Sequence, residues 1–225
     1  MSEVELTLNG KQIKADSSKT ILEVAKDNGI EIPTLCYIEG LPPTGACRMC
    51  VVEVEGSRTL VASCHTPVGK GMVIHTDSPK VLETRRMILE LLHSSHCGSC
   101  YMCEKANVCT LREITADLEV GLPRFTTKKR YYQVEDVSPY IERDLTKCIL
   151  CRRCVRACSE IAKKNVLNVG YRGFDSKIIC DADQPLDKEE CKDCGICITY
   201  CPTGALSAPR KTGEGKKGTP LIIKG

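Results

Sequence analysis

Residues 95–109, SHCGSCYMCEKANVC, hold four cysteines and a histidine. That is one soft ligand more than a single four-coordinate metal site can use, and the surplus runs through a chain with 17 cysteines in 225 residues. Nearer the C-terminus the spacing becomes regular. Cys148, Cys151, Cys154 and Cys158 follow C-x2-C-x2-C-x3-C, and Cys191, Cys194, Cys197 and Cys201 repeat it with Pro202 directly after. In such a run the first three thiolates wrap a short loop around one corner of an iron–sulfur cubane, and the fourth, displaced onto the next helix, faces a neighbouring cluster. Ligation is therefore expected to cross over: Cys148, Cys151, Cys154 and Cys201 would hold one [4Fe-4S] cluster, and Cys191, Cys194, Cys197 and Cys158 another. A zinc site needs four ligands and has no use for this run made twice.

Cys36, Cys47, Cys50 and Cys64 form a looser set, spaced C-x10-C-x2-C-x13-C. Loop-borne thiolates with one C-x2-C pair suit either a [2Fe-2S] rhomb or zinc, and the spacing departs from the plant-type C-x4-C-x2-C. Spacing alone leaves these two readings open.

The elements that must position these residues are partly legible. VELTL alternates apolar and polar residues, Asn9-Gly10 is a two-residue hairpin turn, and KQIKA returns, so the chain opens as a β-hairpin. Thr20 with Glu23 reads as a capping box starting a helix that Gly29 ends. VVEVEG, TLVAS and MVIHT supply further short strands, giving a small half-open sheet crossed by one helix over residues 1–78. Ser78-Pro79 starts the next helix, with VLETRRMILELL at helical spacing. It delivers the chain to the quoted stretch. The polar connection LPRFTTKKRYYQVED follows, and the last domain begins near Tyr140.

Composition narrows the function classes. There is no tryptophan and only two phenylalanines, and the 42% apolar share includes the cysteines, so something besides side-chain packing must order the cysteine-rich parts. An odd cysteine count, and no charged start with an apolar run at MSEVELTLNG, point to a reducing compartment and a cytoplasmic location. No stretch approaches the roughly 20 apolar residues of a membrane span. Net charge is +3 from 32 basic and 29 acidic residues, far from the basic excess of a nucleic-acid binder. The basic runs at Lys128, Lys129 and Arg130 and at Lys216 and Lys217 read as a solvated face and a basic tail, residues 210–225. GEGKKG in that tail matches G-x-G-x-x-G formally but lacks the strand and helix a dinucleotide loop needs.

IPTLCY, GACRMCVVEVEG and ASCHTPV resemble the [2Fe-2S] domain that begins the large iron–sulfur subunit of respiratory complex I. The same module opens many iron-only hydrogenases and forms the small iron–sulfur (diaphorase) subunit of NAD-reducing hydrogenases. DLTKCILCRRCVRACSEI and CGICITYCPTGAL resemble the double-cluster segment of those proteins, and the likeness covers roughly residues 1–208. It implies an α+β chain: a β-grasp [2Fe-2S] ferredoxin-like domain (1–78), a small helical His(Cys)3 cluster domain (79–118) and a bacterial two-[4Fe-4S] ferredoxin-like domain (138–209). Arg152 departs from the pattern, which has a small residue, often glycine, at that position.

The resemblance also implies a middle [4Fe-4S] cluster held by H-x3-C-x2-C-x5-C, a spacing that His96, Cys100, Cys103 and Cys109 fit. Cys97 is then the spare ligand. An all-thiolate set of Cys97, Cys100, Cys103 and Cys109 is chemically sound too and stays open. His93, a helical turn too early, reads with His65 and His75 as an ordinary surface or loop histidine, and Cys180 as a small buried hydrophobe. Cofactors are expected to be one [2Fe-2S] and three [4Fe-4S] clusters.

No nucleotide loop, flavin motif or further domain suggests catalysis, so the chain reads as a non-catalytic electron relay. The resemblance implies its partners: an NAD(H)/FMN-binding flavoprotein subunit, a small [2Fe-2S] subunit, and hydrogenase or formate dehydrogenase subunits, with electron-bifurcating complexes and soluble ferredoxin also allowed. A free polyferredoxin carrier and a zinc-stabilised interaction scaffold are the alternatives.

Overall fold

The computed structural model describes residues 3–135 and 138–209; the tail with GEGKKG, Lys216 and Lys217 lies outside the described residues. Strands β1 (Glu3–Leu8) and β2 (Lys11–Asp16) pair antiparallel with Leu8 opposite Lys11. Asn9 and Gly10 both take positive φ, +48° and +80°, which a tight hairpin of this hand requires. Strands β3 (Val51–Val54), β4 (Val61–Ala62) and β5 (Val73–His75) complete a mixed five-stranded sheet, order β2-β1-β5-β3-β4.

Helix α1 (Ile21–Asp27) begins where the capping box was expected: the Glu23 N–H donates to the Thr20 hydroxyl at 3.3 Å, and the Glu23 carboxylate accepts from the Thr20 N–H at 2.8 Å. Ile21, Leu22, Val24 and Ala25 turn inward and join Leu6, Leu8, Val52 and Ile74 in one core. Burial of each larger side chain there contributes about 1.5–3 kcal/mol, which fixes the sheet that carries the first cysteine loop.

Helix α2 (Pro79–Ser95) is capped by Ser78 with proline in its first turn. Its buried stripe runs Val81, Arg85, Leu89, so a charge occupies a position that helical spacing reserves for an apolar residue. The 4%-exposed Arg85 donates from Nε to the Met49 carbonyl at 3.2 Å and from Nη2 to the Val51 carbonyl at 2.8 Å. The second unit is thereby bolted to the backbone on either side of Cys50. At the other end of α2, Lys129 Nζ donates to the carbonyls of His93 and His96 at 2.9 and 2.6 Å, where a cation suits the helix dipole. The expectation of a simply solvated basic run is thus corrected for Lys129. It is corrected for Arg130 as well, whose guanidinium reaches the Ser176 and Cys148 carbonyls at 3.5 Å.

Beyond helix α3 (Thr110–Asp117), the third unit pairs its first and last strands, β6 (Glu142–Arg143) with β9 (Leu206–Ser207). Between them lie helix α4 (Arg153–Arg156) continuing into a wider turn (Ala157–Ile161), the hairpin of β7 (Leu167–Gly170) and β8 (Lys177–Cys180), and helix α5 (Ile196–Tyr200). Cys180 is fully buried in this unit's core with Leu167, Ile178 and Leu186. Leu35 and Met49 from the first unit, Leu89, Leu111 and Ile114 from α2 and α3, and Ile149 from the third pack into one apolar junction. Among the described residues, no helix is long and apolar enough to cross a membrane.

Candidate metal centres

All 17 cysteines are free thiols. In the first unit, Cys36 interacts with Cys47, and Cys50 with Cys64, within one electrostatic neighbourhood. The contact between partners lowers the pKa of Cys36 and Cys50, because each thiolate accepts its partner's S–H and nearby backbone N–H groups; Cys47 and Cys64 are raised by the same contacts. Two pairs side by side suit two metal ions, each gripped by two sulfurs, better than four sulfurs around one ion. Left-handed Arg48 (φ +58°) and Gly45 (φ +61°) curl the loop that brings Cys47 and Cys50 together.

In the third unit the cysteines sort into two cavities. Cys148, Cys151, Cys154 and Cys201 line one, with Leu145, Ile178, Pro202 and Leu206. Cys158, Cys191, Cys194 and Cys197 line the other, with Ile141, Leu167 and Leu186. Each cavity therefore takes three thiols from one repeat and the fourth from the other. Burial, reinforced by neighbouring thiolates, pushes Cys148 up to about 11, Cys151 to about 12 and Cys154 well above the usual thiol range. The same causes put Cys191 at about 11 and Cys197 at about 12. Buried thiolates crowded in this way need a cation among them. Backbone N–H groups supply part of the compensation: Leu150 N donates to Cys148 Sγ at 3.4 Å and Val166 N to Cys158 Sγ at 3.3 Å.

The second unit brings His96, Cys97, Cys100, Cys103 and Cys109 around a third cavity. His96, 8% exposed, takes the Gly98 N–H on Nδ1 at 3.2 Å, while its Nε2 is buried with no hydrogen-bond partner among the described residues. A native structure rarely leaves such a nitrogen orphaned, and a metal bond is what would occupy it. Burial first, then the neighbouring His93 and Lys129, lowers the imidazole to about 4, so it is neutral at pH 7, as a ligand must be. Cys97 Sγ lies 3.7 Å from His96 Nδ1. His93 is not the surface residue expected, since its Nε2 pairs with Thr115 Oγ1 at 2.8 Å and half its bulk is covered. Among the described residues, no three His, Cys, Asp or Glu side chains close on a point as one metal ion would require; the sulfurs ring cavities instead.

Three family models match segments of the chain. A model of the 2Fe-2S iron–sulfur cluster binding domain matches residues 1–79, the NADH-ubiquinone oxidoreductase-G iron–sulfur binding region matches 85–124, and the ferredoxin-like domain of NADH-quinone oxidoreductase subunit 3 matches 138–207. The chain carries these three kinds of iron–sulfur domain. The chain is 39% identical over 211 residues to the NADP-reducing hydrogenase subunit HndD of Solidesulfovibrio fructosivorans, covering 92% of this chain and 36% of that one. It is 36% identical over 205 residues to an NADH-quinone oxidoreductase subunit of Rhizobium meliloti (strain 1021), covering 90% of this chain and 24% of the relative. The chain thus spans about a quarter to a third of the length of these relatives. A chain of the NAD+-reducing [NiFe]-hydrogenase in the H2-reduced state superposes with a TM-score of 0.81 at 28% identity, covering 96% of this chain and 90% of that one.

Reading the sequence missed the residues that join the iron–sulfur domains to one another. Arg85 was detectable, because Val81 and Leu89 flank it at helical spacing on one stripe. Gly204 was not: a Cβ there would meet Cys103 Sγ at 2.8 Å, a contact between residues from two different domains.

Proposed function

We propose that the chain is an electron relay that holds one [2Fe-2S] and three [4Fe-4S] clusters. The ligands are Cys36, Cys47, Cys50 and Cys64 for the first; His96, Cys100, Cys103 and Cys109 for the second; Cys148, Cys151, Cys154 and Cys201 for the third; and Cys191, Cys194, Cys197 and Cys158 for the fourth. On this reading the chain divides into a β-grasp fold over 1–78, the His(Cys)3 unit over 79–118 and the two-cluster ferredoxin-like unit over 138–209. The observation that carries this reading is the crossed sorting of eight cysteines into two cavities, which a cubane pair demands and separate zinc sites do not. When bound, each cluster supplies one-electron redox chemistry. The chain's own residues would hold it, and backbone N–H groups donate to two of the ligating thiols, Cys148 and Cys158. The relatives named above are subunits of hydrogenases and NADH-quinone oxidoreductases, which favours a place between an NAD(H)-linked flavoprotein, with or without a small [2Fe-2S] subunit, and a hydrogenase or formate dehydrogenase module. Bifurcation of electrons within such a complex fits the same placement. Oxygen-free material should carry about fourteen irons per chain and leave cells bound to a flavoprotein; a colourless, zinc-loaded chain sinks the proposal, and an iron-loaded chain purifying alone points to a free polyferredoxin.

His96→Cys should lower the reduction potential of the middle cluster alone. A thiolate in place of the neutral imidazole adds one negative charge to the site, which disfavours an arriving electron. A redox titration followed by electron paramagnetic resonance checks this, and an unshifted middle cluster would return the fourth ligand to Cys97.

A further inference from the structure

The two halves of the third unit repeat one another closely in backbone and depart in charge. In Cys148-Ile149-Leu150-Cys151-Arg152-Arg153-Cys154, Leu150 and Arg152 take φ of +55° and +63°. In Cys191-Lys192-Asp193-Cys194-Gly195-Ile196-Cys197, Asp193 and Gly195 take +56° and +58°. Arg152 (ψ 7°) and Gly195 (ψ 5°) each stand immediately before the helix that follows, α4 and α5. The left-handed region is free to glycine and costs any residue with a Cβ about 1 kcal/mol or more. Local strain of this kind, kept where a strain-free residue serves the sister site, asks for a use.

The fold makes little use of the Arg152 side chain. It is exposed and, among the described residues, shows neither a hydrogen bond nor an ion pair. It does line the cavity of Cys148, Cys151, Cys154 and Cys201. Beside the cavity's cysteines lie two further arginines, Arg130 at the Cys148 carbonyl and Arg153, which stacks 5.8 Å from the Tyr200 ring and acts electrostatically on Cys151. The sister cavity is lined by Lys164, tied to the Glu190 carbonyl, and by Gly195 where the first has Arg152. At the matching backbone position, one site thus carries a guanidinium where its twin has a bare glycine.

We propose that Arg152 holds the Cys148–Cys151–Cys154–Cys201 site at a higher reduction potential than its sister, so that an electron entering the pair rests there first. The proposal depends on both sites holding [4Fe-4S] clusters, as argued above. Reduction adds one electron to the site and makes or breaks no bond. The added negative charge is stabilised by a nearby guanidinium, which is charged at any working pH. The side chain is exposed, so dissolved salt screens it.

The test is a dithionite titration of the oxygen-free, cluster-loaded chain, followed by electron paramagnetic resonance, for the native chain and for Arg152→Gly, Arg152→Gln and Arg152→Lys. The signal that disappears in Cys201→Ala identifies the site. Glycine and glutamine should both shift that site's potential down, toward its sister's, and leave the other sites unmoved. Lysine should keep most of the native value, and the native-to-glutamine gap should narrow at high salt. Arg152→Gly should also melt higher than Arg152→Gln, since only glycine relieves the backbone. Unmoved potentials with full iron content overturn the role of Arg152 while leaving the four clusters intact, as does a shift in the glycine variant alone. Missing four-iron signals in the native chain sink the cluster assignment itself.

Discussion

Cys201→Ala should abolish the cluster held by the distant Cys148, Cys151 and Cys154 and spare the one held by its own neighbours Cys191, Cys194 and Cys197. The reason is geometric. Helix α5 (Ile196–Tyr200) starts at one cavity and ends at the other, so Cys197 lines the first of these while Cys201 already lines the second. The turn after α4 carries Cys158 the opposite way. Losing one of four thiolates should remove about four irons per chain and the signals of one four-iron cluster. Cys158→Ala should remove the other cluster with the same economy of effect. Each cluster joins the two repeats, so either variant should also melt at a lower temperature, as expected when bound metal contributes folding energy. Iron analysis and electron paramagnetic resonance on the two variants decide the matter. Loss of the Cys191 cluster in Cys201→Ala would mean uncrossed ligation.

What could be read from the sequence was the part governed by short spacing. A cluster loop is a local object: the thiolates must recur every third residue, and the backbone between them must coil through positive φ, as Leu150, Arg152, Asp193 and Gly195 do. The hairpin at Asn9-Gly10 and the capping box of Thr20 and Glu23 are local in the same way. The misread residues act at a distance. Lys129 belongs to a run of three basic residues that composition assigns to solvent, yet it bonds the last carbonyls of a helix more than thirty residues earlier. His93 lies a helical turn too early for the ligand spacing and so reads as an ordinary surface or loop histidine, whereas its partner Thr115 comes from α3. Arg85 lies on a buried stripe because carbonyls of the first cysteine loop, not an apolar core, await it. Charge and polarity fix a residue's solvation only until a partner from another element is known.

The contact most dependent on this long-range order is at Gly204. Its backbone lies outside the left-handed region, so alanine could adopt the conformation, and the effect of Gly204→Ala should be purely steric. The new methyl would lie 2.8 Å from Cys103 Sγ, 3.3 Å from Lys147 Cδ and 3.5 Å from Lys105 Cβ. The first distance is shorter than side-chain carbons tolerate, and Cys103 has little room to retreat, since it shares its cavity wall with Cys100, Cys109 and His96. The opposing wall is also held in place. Pro202 accepts from Thr110 N at 3.1 Å, and the Thr203 hydroxyl donates to the Lys147 carbonyl at 2.9 Å. Thr203 lines both the middle cavity and that of Cys201, so a single strand of chain separates the two sites. A bare glycine there lets the sites approach each other as closely as backbone allows. Gly204→Ala should therefore displace the Cys103 thiolate, cost about 1–3 kcal/mol by overpacking, and strip or distort the middle cluster while the Cys148 site keeps its iron. Gly204→Val should do so more severely. Iron content, thermal unfolding and the middle cluster's resonance signal measure all three effects. A Gly204→Ala chain with full iron and an unaltered middle signal would show that the wall yields, and that the two sites are not held at backbone thickness.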